Sequence, residues 1–356
     1  VMEFGREGMD TMEFLDFTDA GAVAEYERFI QDSKGSFMQS VLWCAVKPDW
    51  LHEAVISRDS AGKIAGSMLV LIKRFPPPMK SFLYSPRGPV WDYRNMDVLW
   101  DLLRGVWQLS RNYHAYALKA DPLIEETDSD RIFALRSAGF TYRPFQEDAQ
   151  VIQSRNNYLL ELRGRNEEEL MASFKSKCRY NIKLAQRKGV TCGSYGKERL
   201  PEFERLMLET GKRDGFHVRT QEYFARMLDG LGEHCRLYLC DYQGQALSGA
   251  VCVQYGGRTC YVYGASTAVH REVMPNYLMQ WEMIRWALQS GCEIYDFQGV
   301  PCWYDRDNPN YGVYRFKTGF NGRLAVYAGE FRMVFSKRYK SAFDKVLGSL
   351  GYQKLM

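Results

Sequence analysis

Two stretches far apart in the chain have the same order of residue types, and this repetition limits the folds that the chain can adopt. The first stretch is Gly62–Val70, GKIAGSMLV, and the second is Gly244–Cys252, GQALSGAVC. In each, a turn glycine opens an apolar strand, and the chain then continues with a strand, a helix and a strand. Such a recurring order of helix, hairpin, strand, helix and strand predicts two copies of one α/β unit.

The length of the chain agrees with two such units. At 356 residues, it is long enough for two domains of roughly 150 residues each. We expect an α/β (α+β) fold of two tandem acetyltransferase-like (GNAT) domains, with mixed sheets flanked by helices. The predicted division is a loose leader over 1–12, a first domain over 13–160, a second domain over 161–335 and a C-terminal helix over 336–356. The C-terminal segment is expected to complete the first domain.

Composition excludes several classes of protein. An apolar content of 46% with 14% aromatic residues excludes disorder, and a net charge of +4 neither requires nor excludes a nucleic-acid partner. The nine cysteines include no Cys-x-x-Cys pair, so we expect no zinc or other metal site and a reducing, cytoplasmic location. No apolar run approaches the roughly 20 residues that span a bilayer. Any membrane-bound substrate is therefore expected to be met at the membrane surface.

Common catalytic motifs are missing from the chain. The five histidines show no motif spacing, and there is no Gly-x-Ser-x-Gly elbow. A loop that holds the pyrophosphate of acetyl-CoA needs Arg/Gln-x-x-Gly-x-Gly/Ala, and the two nearest matches, Arg136–Thr141 and Gln186–Thr191, both fail at the last position. The sequence therefore favours an acyl donor other than CoA.

The most basic part of the chain is a predicted helix over 166–188. Asn166 is its expected N-cap and Gly189 its expected end. The stretch from Leu170 to Lys188 holds six Lys or Arg residues and no acid. Four of them recur at every fourth position and predict a basic ridge: Lys175, Arg179, Lys183 and Arg187. Such a ridge is either a solvated face or a track for phosphates of a nucleic-acid backbone or a diphosphate.

A second unusual stretch is Tyr311–Gly322, YGVYRFKTGFNG. We expect it to be extended, which places Arg315 and Lys317 on one face and Phe316 on the other. Two cations then point into one space. The alternative is an ordinary edge strand with exposed cations and one buried ring.

The basic stretch, which reads Phe-x-x-Lys-x-Arg-Tyr-Asn-Ile over 174–182, resembles the helix that begins the second domain of the Fem aminoacyltransferases. The segment 291–300, its helical lead-in 275–288 and the Arg-Phe-Lys triplet resemble the same family. The resemblance covers roughly residues 25 to 340. The basic helix leads through Gly189 directly towards a helix at Leu200, which leaves no room for a coiled-coil arm. The resemblance is therefore to the compact, FemX-like members of the family, which have no such arm.

This resemblance implies an aminoacyltransferase of peptidoglycan bridge formation. The amino acid would pass from aminoacyl-tRNA to the side-chain amine of a stem peptide on UDP-MurNAc-pentapeptide or lipid II. It implies no cofactor beyond aminoacyl-tRNA as co-substrate, and a cytoplasmic monomer. Transfer of an ester-activated amino acid to an amine requires alignment, a neutral amine and stabilisation of the oxyanion, without a covalent enzyme intermediate.

The resemblance also implies roles for single residues. As catalytic residues it implies Lys317, which offsets oxyanion or phosphate charge, Asp121, which orients the amine or takes its proton, and Phe316. Lys47 corresponds to a diphosphate-binding lysine, and Arg219 to a phosphate-binding arginine. The remaining substrate-binding residues are expected to be Tyr116, Tyr223, Tyr263 and Arg315, with Tyr261 as the alternative to Tyr263.

Structural alternatives stand beside these roles. Lys47 can simply end a helix before Pro48, Asp121 can serve the turn at Pro122, and the tyrosines can be core residues. Two other functions are also compatible with the residues. One is an acyl-CoA-dependent N-acyltransferase of the GNAT superfamily, and the other is a non-catalytic RNA-binding module.

Overall fold

The structure is a computed structural model that describes residues 11–76, 80–143, 152–301, 303–308 and 310–336. The chain divides into two compact units, Val1–Gln153 together with Ala328–Met356, and Ser154–Tyr327. The predicted boundaries after residues 160 and 335 fall later in the chain. Most of the predicted leader and of the predicted C-terminal helix lies outside the described residues. Met12, which we assigned to the leader, lies in the first strand.

Strands and helices alternate along much of the described chain. The strands are β1 Met12–Phe14, β2 Leu51–Arg58, β3 Ile64–Lys73, β4 Ser81–Ser85, β5 Val90–Trp91, β6 Ala115–Ala120, β7 Thr141–Arg143, β8 Asn156–Glu161, β9 Thr191–Tyr195, β10 Cys235–Tyr242, β11 Gln245–Tyr255, β12 Arg258–Ser266, β13 Ile294–Gly299, β14 Arg323–Val326 and β15 Glu330–Val334. The α-helices are α1 Ala20–Asp32, α2 Leu42–Val46, α3 Met96–Asn112, α4 Ser129–Ser137, α5 Glu167–Ser173, α6 Ser176–Arg187, α7 Leu200–Asp214, α8 Gln221–Leu231, α9 Pro275–Gln289 and α10 Tyr311–Lys317. Short 3-10 turns are Phe37–Gln39, Lys197–Arg199, Gly232–His234, Arg271–Val273 and Thr318–Phe320.

The first unit is built on one mixed sheet. Its strands lie in the order β1-β2-β3-β4-β6-β15-β7, and β5 pairs with β3. The pair β4–β6 is parallel, and the chain crosses between these strands through α3. This helix packs its apolar side on β1, β2, β3 and β6, as an amphipathic crossover helix does. The last described strand, β15, completes the sheet beside β6.

The second unit repeats this plan. Its sheet has the order β14-β8-β13-β12-β11-β10-β9, in which only the pair β12–β13 is parallel among the described strands. The crossover helix α9 packs on α6 and on β9 to β13. The core of this unit includes Phe174, Trp281 and Phe320.

The repetition inferred from the sequence is present in the structure. The turn glycines Gly62 and Gly244 have φ angles of 79° and 78°, a left-handed conformation that favours glycine. Each opens the second strand of an antiparallel pair, β2–β3 in one unit and β10–β11 in the other. Each pair then leads to a strand, a crossover helix and a parallel strand. The predicted fold class is therefore confirmed.

The predicted basic helix over 166–188 is two helices. Asn166 caps the first of them, α5, and forms a capping box with Glu169, as its position indicated. The chain then becomes extended at Phe174, where ψ is 152°, and α6 begins at Ser176. The break follows from packing, because Phe174 turns inward against Trp281 and Phe320 with ring centroids 5.8 and 5.2 Å away.

The stretch from Tyr311 to Phe320 is helical, so the predicted extended conformation is wrong. It forms α10 and a 3-10 turn, and Asn321, with φ of 54°, ends it. Tertiary packing explains the difference: the rings of Phe316 and Phe320 lie four residues apart and both contact Tyr277. Arg315 and Lys317 consequently point in different directions.

Two glycines in this stretch give a matched test of the packing. A Cβ added at Gly322 would lie 2.1 Å from the carbonyl oxygen of Leu159, whereas a Cβ at Gly319 would first meet Cys178 at 3.4 Å. We expect Gly322→Ala to lower the free energy of unfolding by about 1–3 kcal/mol, because backbone would have to move. Gly319→Ala is the control and should change it by less than about 0.5 kcal/mol. Denaturant unfolding measures both, and equal stabilities would contradict the close approach.

Candidate active-site residues

Asp121 lies in a buried polar cluster of the first unit, directly after β6. Only 2% of it is exposed. The Tyr84 hydroxyl donates a hydrogen bond to its Oδ2 at 2.7 Å, and the backbone N–H of Arg87 donates to its Oδ1 at 2.8 Å. Gln153 in turn donates from Nε2 to the Tyr84 hydroxyl at 3.3 Å. The carboxyl group is therefore held by donors on both oxygens.

Burial raises the pKa of Asp121 to about 6, although the positive charge of Arg87 and the two hydrogen bonds oppose the rise. A carboxyl group with this pKa is largely ionised near neutral pH and still basic enough to accept a proton. Such a pKa is compatible with a general base, and that role of Asp121 stays a prediction.

A buried ion pair lies in the same region of the first unit. Lys119 Nζ lies 2.9 Å from Glu330 Oε1, a contact that joins β6 to β15, and both side chains are almost wholly buried. Burial lowers the pKa of Lys119, and the carboxylate of Glu330 opposes that effect. The sequence analysis missed Lys119, Glu330, Tyr84 and Arg87. The signal available was the presence of two charged residues two positions apart, Lys119 within an otherwise apolar strand and Asp121 directly after it.

The other two predicted residues of the first unit, Tyr116 and Lys47, both make contacts with aromatic rings. Tyr116 is buried in β6 with its ring 5.8 Å from that of Phe82. The pairing of β6 with β4 is irregular at Tyr116, and Phe82, which the Tyr116 ring contacts, lies on the same side of β4 as Tyr84. Lys47 is half-buried at the end of α2, and its ammonium group lies 4.8 Å from the ring centroid of Trp43.

In the second unit, Lys317 is buried at the end of α10 with 5% exposure. Its Nζ donates to the carbonyl oxygens of Phe297, Gln298 and Gly299 at 2.5, 3.3 and 2.7 Å. An ammonium group has three N–H donors, so these carbonyls match its charged form. Burial acts in the opposite direction and lowers the pKa of Lys317 to about 7, with Asp296 opposing it.

The carbonyls that hold Lys317 belong to an unusual end of β13. Gln298 has a left-handed backbone with φ of 58°, and its N–H donates to Asp296 Oδ1 at 2.7 Å. The buried carboxylate of Asp296 also accepts from Arg258 at 3.0 Å and from Asn157 at 3.1 Å. This network fixes the turn that presents the three carbonyls. Sequence reasoning singled out none of its side chains.

The structure brings three of the predicted substrate-binding residues together. The hydroxyl groups of Tyr223 and Tyr263 are 3.3 Å apart, and the Arg219 guanidinium lies 5.2 Å from the Tyr223 ring centroid. Thr220 caps α8 and so positions Tyr223 in its first turn. Tyr261 has a different neighbour, since the Lys317 ammonium lies 5.9 Å from its ring. Tyr263 thus belongs with Arg219 and Tyr223, and Tyr261 with Lys317.

The other members of the triplet and the basic ridge have separate surroundings. Phe316 packs on Tyr277 with ring centroids 4.9 Å apart, whereas Arg315 is exposed. In the ridge, Arg179 donates to the carbonyl oxygens of Ala172 and Phe174. Three ridge cations are exposed: Lys175, which precedes α6, and Lys183 and Arg187, which lie on it.

Metal-binding clusters and membrane-spanning helices are both absent from the described part of the chain. Among those residues, no group of three or more His, Cys, Asp or Glu side chains is placed to hold a metal ion. Within the same residues, no helix is long and apolar enough to cross a membrane.

Comparison with known proteins gives matches over nearly the whole chain. The model of the FemAB family matches residues 22–243 and 240–343. The lipid II:glycine glycyltransferase of Staphylococcus aureus strain MRSA252 is 26% identical, over 93% of this chain and 96% of that protein. The same enzyme from strain USA300 matches with the same identity and coverage.

Solved structures give the same result. A crystal structure of FemX superposes with a TM-score of 0.84 at 25% identity, covering 94% of this chain and 99% of that one. A tandem GNAT protein from the clavulanic acid biosynthesis pathway has a TM-score of 0.54 at 11% identity, which shows a shared fold. The relatives named as glycyltransferases make this chain an aminoacyltransferase, as predicted. The resemblance inferred from the sequence is confirmed, and this chain belongs to the FemAB family.

Proposed function

We propose that this protein transfers an amino acid from aminoacyl-tRNA to the side-chain amine of a stem peptide in a peptidoglycan precursor. One observation carries the proposal: relatives named lipid II:glycine glycyltransferase align over 93% of this chain and 96% of their own length. Glycyl transfer to lipid II builds a peptide bridge on a lipid-linked precursor. A precursor of this kind, or its nucleotide-linked form, is the acceptor that we infer for this chain, in the cytoplasm.

The chemistry is the aminolysis of an ester. The amine of the stem peptide attacks the ester carbonyl of the aminoacyl-tRNA, and a tetrahedral intermediate with an oxyanion forms. The C–O bond to the terminal ribose then breaks, an amide remains, and the ribose oxygen leaves with a proton. The enzyme must supply a proton acceptor for the amine and positive charge for the oxyanion.

Asp121 is our proposed proton acceptor. Its pKa of about 6 suits a base near neutral pH, and Tyr84 and Arg87 fix its orientation by hydrogen bonds of 2.7 and 2.8 Å. Lys119 and Glu330 lie in the same buried region and support the strand that carries it.

Lys317 is our proposed source of positive charge. Its ammonium group is fixed by the end of β13 rather than by a flexible loop, so it needs little reorganisation when charge develops nearby. With a pKa of about 7, it is charged in slightly acidic to neutral solution. Arg219, Tyr223 and Tyr263 form a separate group whose cation and hydroxyls suit a phosphate of the acceptor. We keep Lys47 as a second phosphate ligand, and Tyr116, Arg315 and Phe316 as predicted contacts.

A product-mass experiment tests the proposal. Purified protein is incubated with a mixture of charged tRNAs and, in separate reactions, UDP-MurNAc-pentapeptide or lipid II. We expect a precursor heavier by one or more aminoacyl residues in at least one reaction, and no product when the tRNAs are first deacylated. The rival, an acyl-CoA-dependent transferase, is supported instead if CoA binds tightly in a titration and only acyl-CoA yields product.

A further inference from the structure

The outward face of α6 combines an aromatic ring with cations. Cys178, Ile182 and Ala185 are buried and attach this helix to the core of the second unit. On the opposite side, Tyr180, Lys183 and Arg187 follow the spacing i, i+3, i+7 and therefore form one stripe. All three are exposed. This stripe differs from the predicted ridge, whose other members, Lys175 and Arg179, lie before the helix or turn back onto its start.

Tyr180 is unusually open for a large ring. Its exposure is 57%, and the guanidinium of Arg187 lies 5.7 Å from its ring centroid. A tyrosine with a neighbouring guanidinium can stack on a nucleic-acid base while the cation meets the adjoining phosphate. The ring has no comparable role in the packing of the unit.

The charge around this stripe fits a polyanion. Lys177 and Lys188 flank it and are exposed, and the whole of 170–188 contains no acidic residue. Acids lie near both ends of the stripe: Glu167 and Glu168 of α5 line a shallow groove with Arg179 and Lys183, and the charge of Lys188 helps to lower the pKa of Glu272. Glu167 is already paired with Arg285 at 2.9 Å.

The arrangement suits RNA better than an anionic membrane. A helix that lies on a membrane inserts an apolar face into the lipid, and the apolar face of α6 is buried in the protein core. Its outward stripe offers a single ring between cations. An unpaired nucleotide, with one base and flanking phosphates, matches that combination.

We propose that Tyr180, Lys183 and Arg187 form a docking site for an unpaired nucleotide of RNA, in which the base stacks on Tyr180 and phosphates contact the two cations. The inference rests on the proposed function in one respect: if the protein uses aminoacyl-tRNA as donor, that tRNA is the RNA that docks here. The stripe is an auxiliary contact that holds the donor and takes no part in the transfer step.

Binding of RNA by variants tests this site. The probes are uncharged tRNA and a labelled single-stranded RNA oligonucleotide, followed by fluorescence anisotropy over a range of salt concentrations. Tyr180→Ala should weaken binding by roughly 5- to 150-fold, as loss of one base stack does. Tyr180→Phe keeps the ring and should bind nearly as the parent protein. Arg187→Ala and Lys183→Ala should each reduce the salt slope by about 0.7.

Matched controls lie elsewhere on the surface. Phe133→Ala removes a ring that is 71% exposed in the first unit, and Lys197→Ala removes an exposed cation of the second unit. Both should leave RNA binding unchanged. Equal binding of RNA by the parent protein and Tyr180→Ala would overturn the proposal. It would also be overturned if Tyr180→Ala bound RNA as the parent protein does but bound vesicles of equal phosphatidylglycerol and phosphatidylcholine more weakly than the parent protein.

Kinetics separate this inference from the proposed function. In the transfer reaction, Tyr180→Ala should raise KM for aminoacyl-tRNA with little change in kcat, and KM for the precursor should stay the same. If the parent protein transfers amino acids and Tyr180→Ala has an unchanged KM for aminoacyl-tRNA, the docking site alone is refuted. A parent protein that binds RNA through the stripe but forms no product refutes the proposed function alone.

Discussion

The substitution Asp121→Asn is expected to remove most of the transfer activity and at the same time to stabilise the protein above pH 6. The loss of activity follows because an amide cannot accept the proton of the attacking amine. Removal of a general base typically lowers rates by about 10²- to 10⁴-fold. The gain in stability follows because the variant no longer buries a carboxylate that burial disfavours.

The direction of the stability effect follows from the pKa. Asp121 has an ordinary pKa of 3.8 and a folded pKa of about 6, so the folded chain holds this proton more tightly than the unfolded chain. Stability contributed by the group is present below 3.8 and is lost as the pH rises through 6. The gap corresponds to about 3 kcal/mol, which is the upper limit for the gain in Asp121→Asn at pH 8.

Thermal or denaturant unfolding at pH 4, 6 and 8 measures this effect. The variant should exceed the parent protein at pH 8, and the difference should shrink towards pH 4. Asp130→Asn in α4 is the control, since Asp130 is exposed and its replacement should change stability by less than about 0.5 kcal/mol at every pH. In the parent protein, kcat/KM should fall as the pH drops below about 6. A variant with parental turnover would rule out Asp121 as the base.

Replacing Lys317 by Met is expected to reduce turnover by about 10²- to 10³-fold, the usual cost of removing one preorganised group that stabilises an oxyanion. Methionine keeps most of the length of the side chain but gives no charge and no donors to the carbonyls of Phe297, Gln298 and Gly299. The binding of both substrates should change less than kcat, because the charge acts mainly in the transition state.

The pH dependence of Lys317 gives a second measurement. Its folded pKa of about 7 lies below the ordinary 10.5, so the folded chain releases this proton more readily than the unfolded chain. Its contribution to stability therefore increases as the pH rises from 7 to 10.5. Lys317→Met should lose that increase. In the parent protein, activity that depends on the charged form should decline above pH 7.

The control for Lys317→Met is Lys197→Met. Lys197 belongs to the same unit but is exposed, and its ion pair with Asp229 lies at the surface. Such pairs contribute little to stability, and the control should keep parental activity and unfolding. If Lys317→Met folds normally and turns over at the parental rate, the proposed role of this lysine is wrong.

Periodicity along the chain predicted most of the fold, because the long helices α3 and α9 and the hairpins carry local patterns. The helix α10 was missed for the opposite reason. Its seven residues are too few for a clear period, and the contacts of Phe316 with Tyr277 that stabilise it are distant in sequence. The break before α6 likewise depends on the burial of Phe174.

The candidate site, like the fold, was predicted only in part from the sequence. The family resemblance pointed to Asp121 and Lys317, but the pairs in the buried cluster around Asp121 join residues that are far apart in the sequence. Tyr84 precedes Asp121 by 37 residues, and Glu330 follows Lys119 by 211. No local pattern gives such pairs, since they arise when strands β4, β6 and β15 come together in the sheet.

The position of β15 has a consequence for the folding of the chain during its synthesis on the ribosome. The first unit is discontinuous, because β6 takes its neighbour from residues that are translated after all of Ser154–Tyr327. The second unit is continuous and has its full set of strands earlier. During synthesis, the edge of the first sheet at β6 remains unpaired until Glu330 and the rest of β15 have emerged from the ribosome. A ribosome that stalls between these points would leave a nascent chain exposed to aggregation and proteolysis.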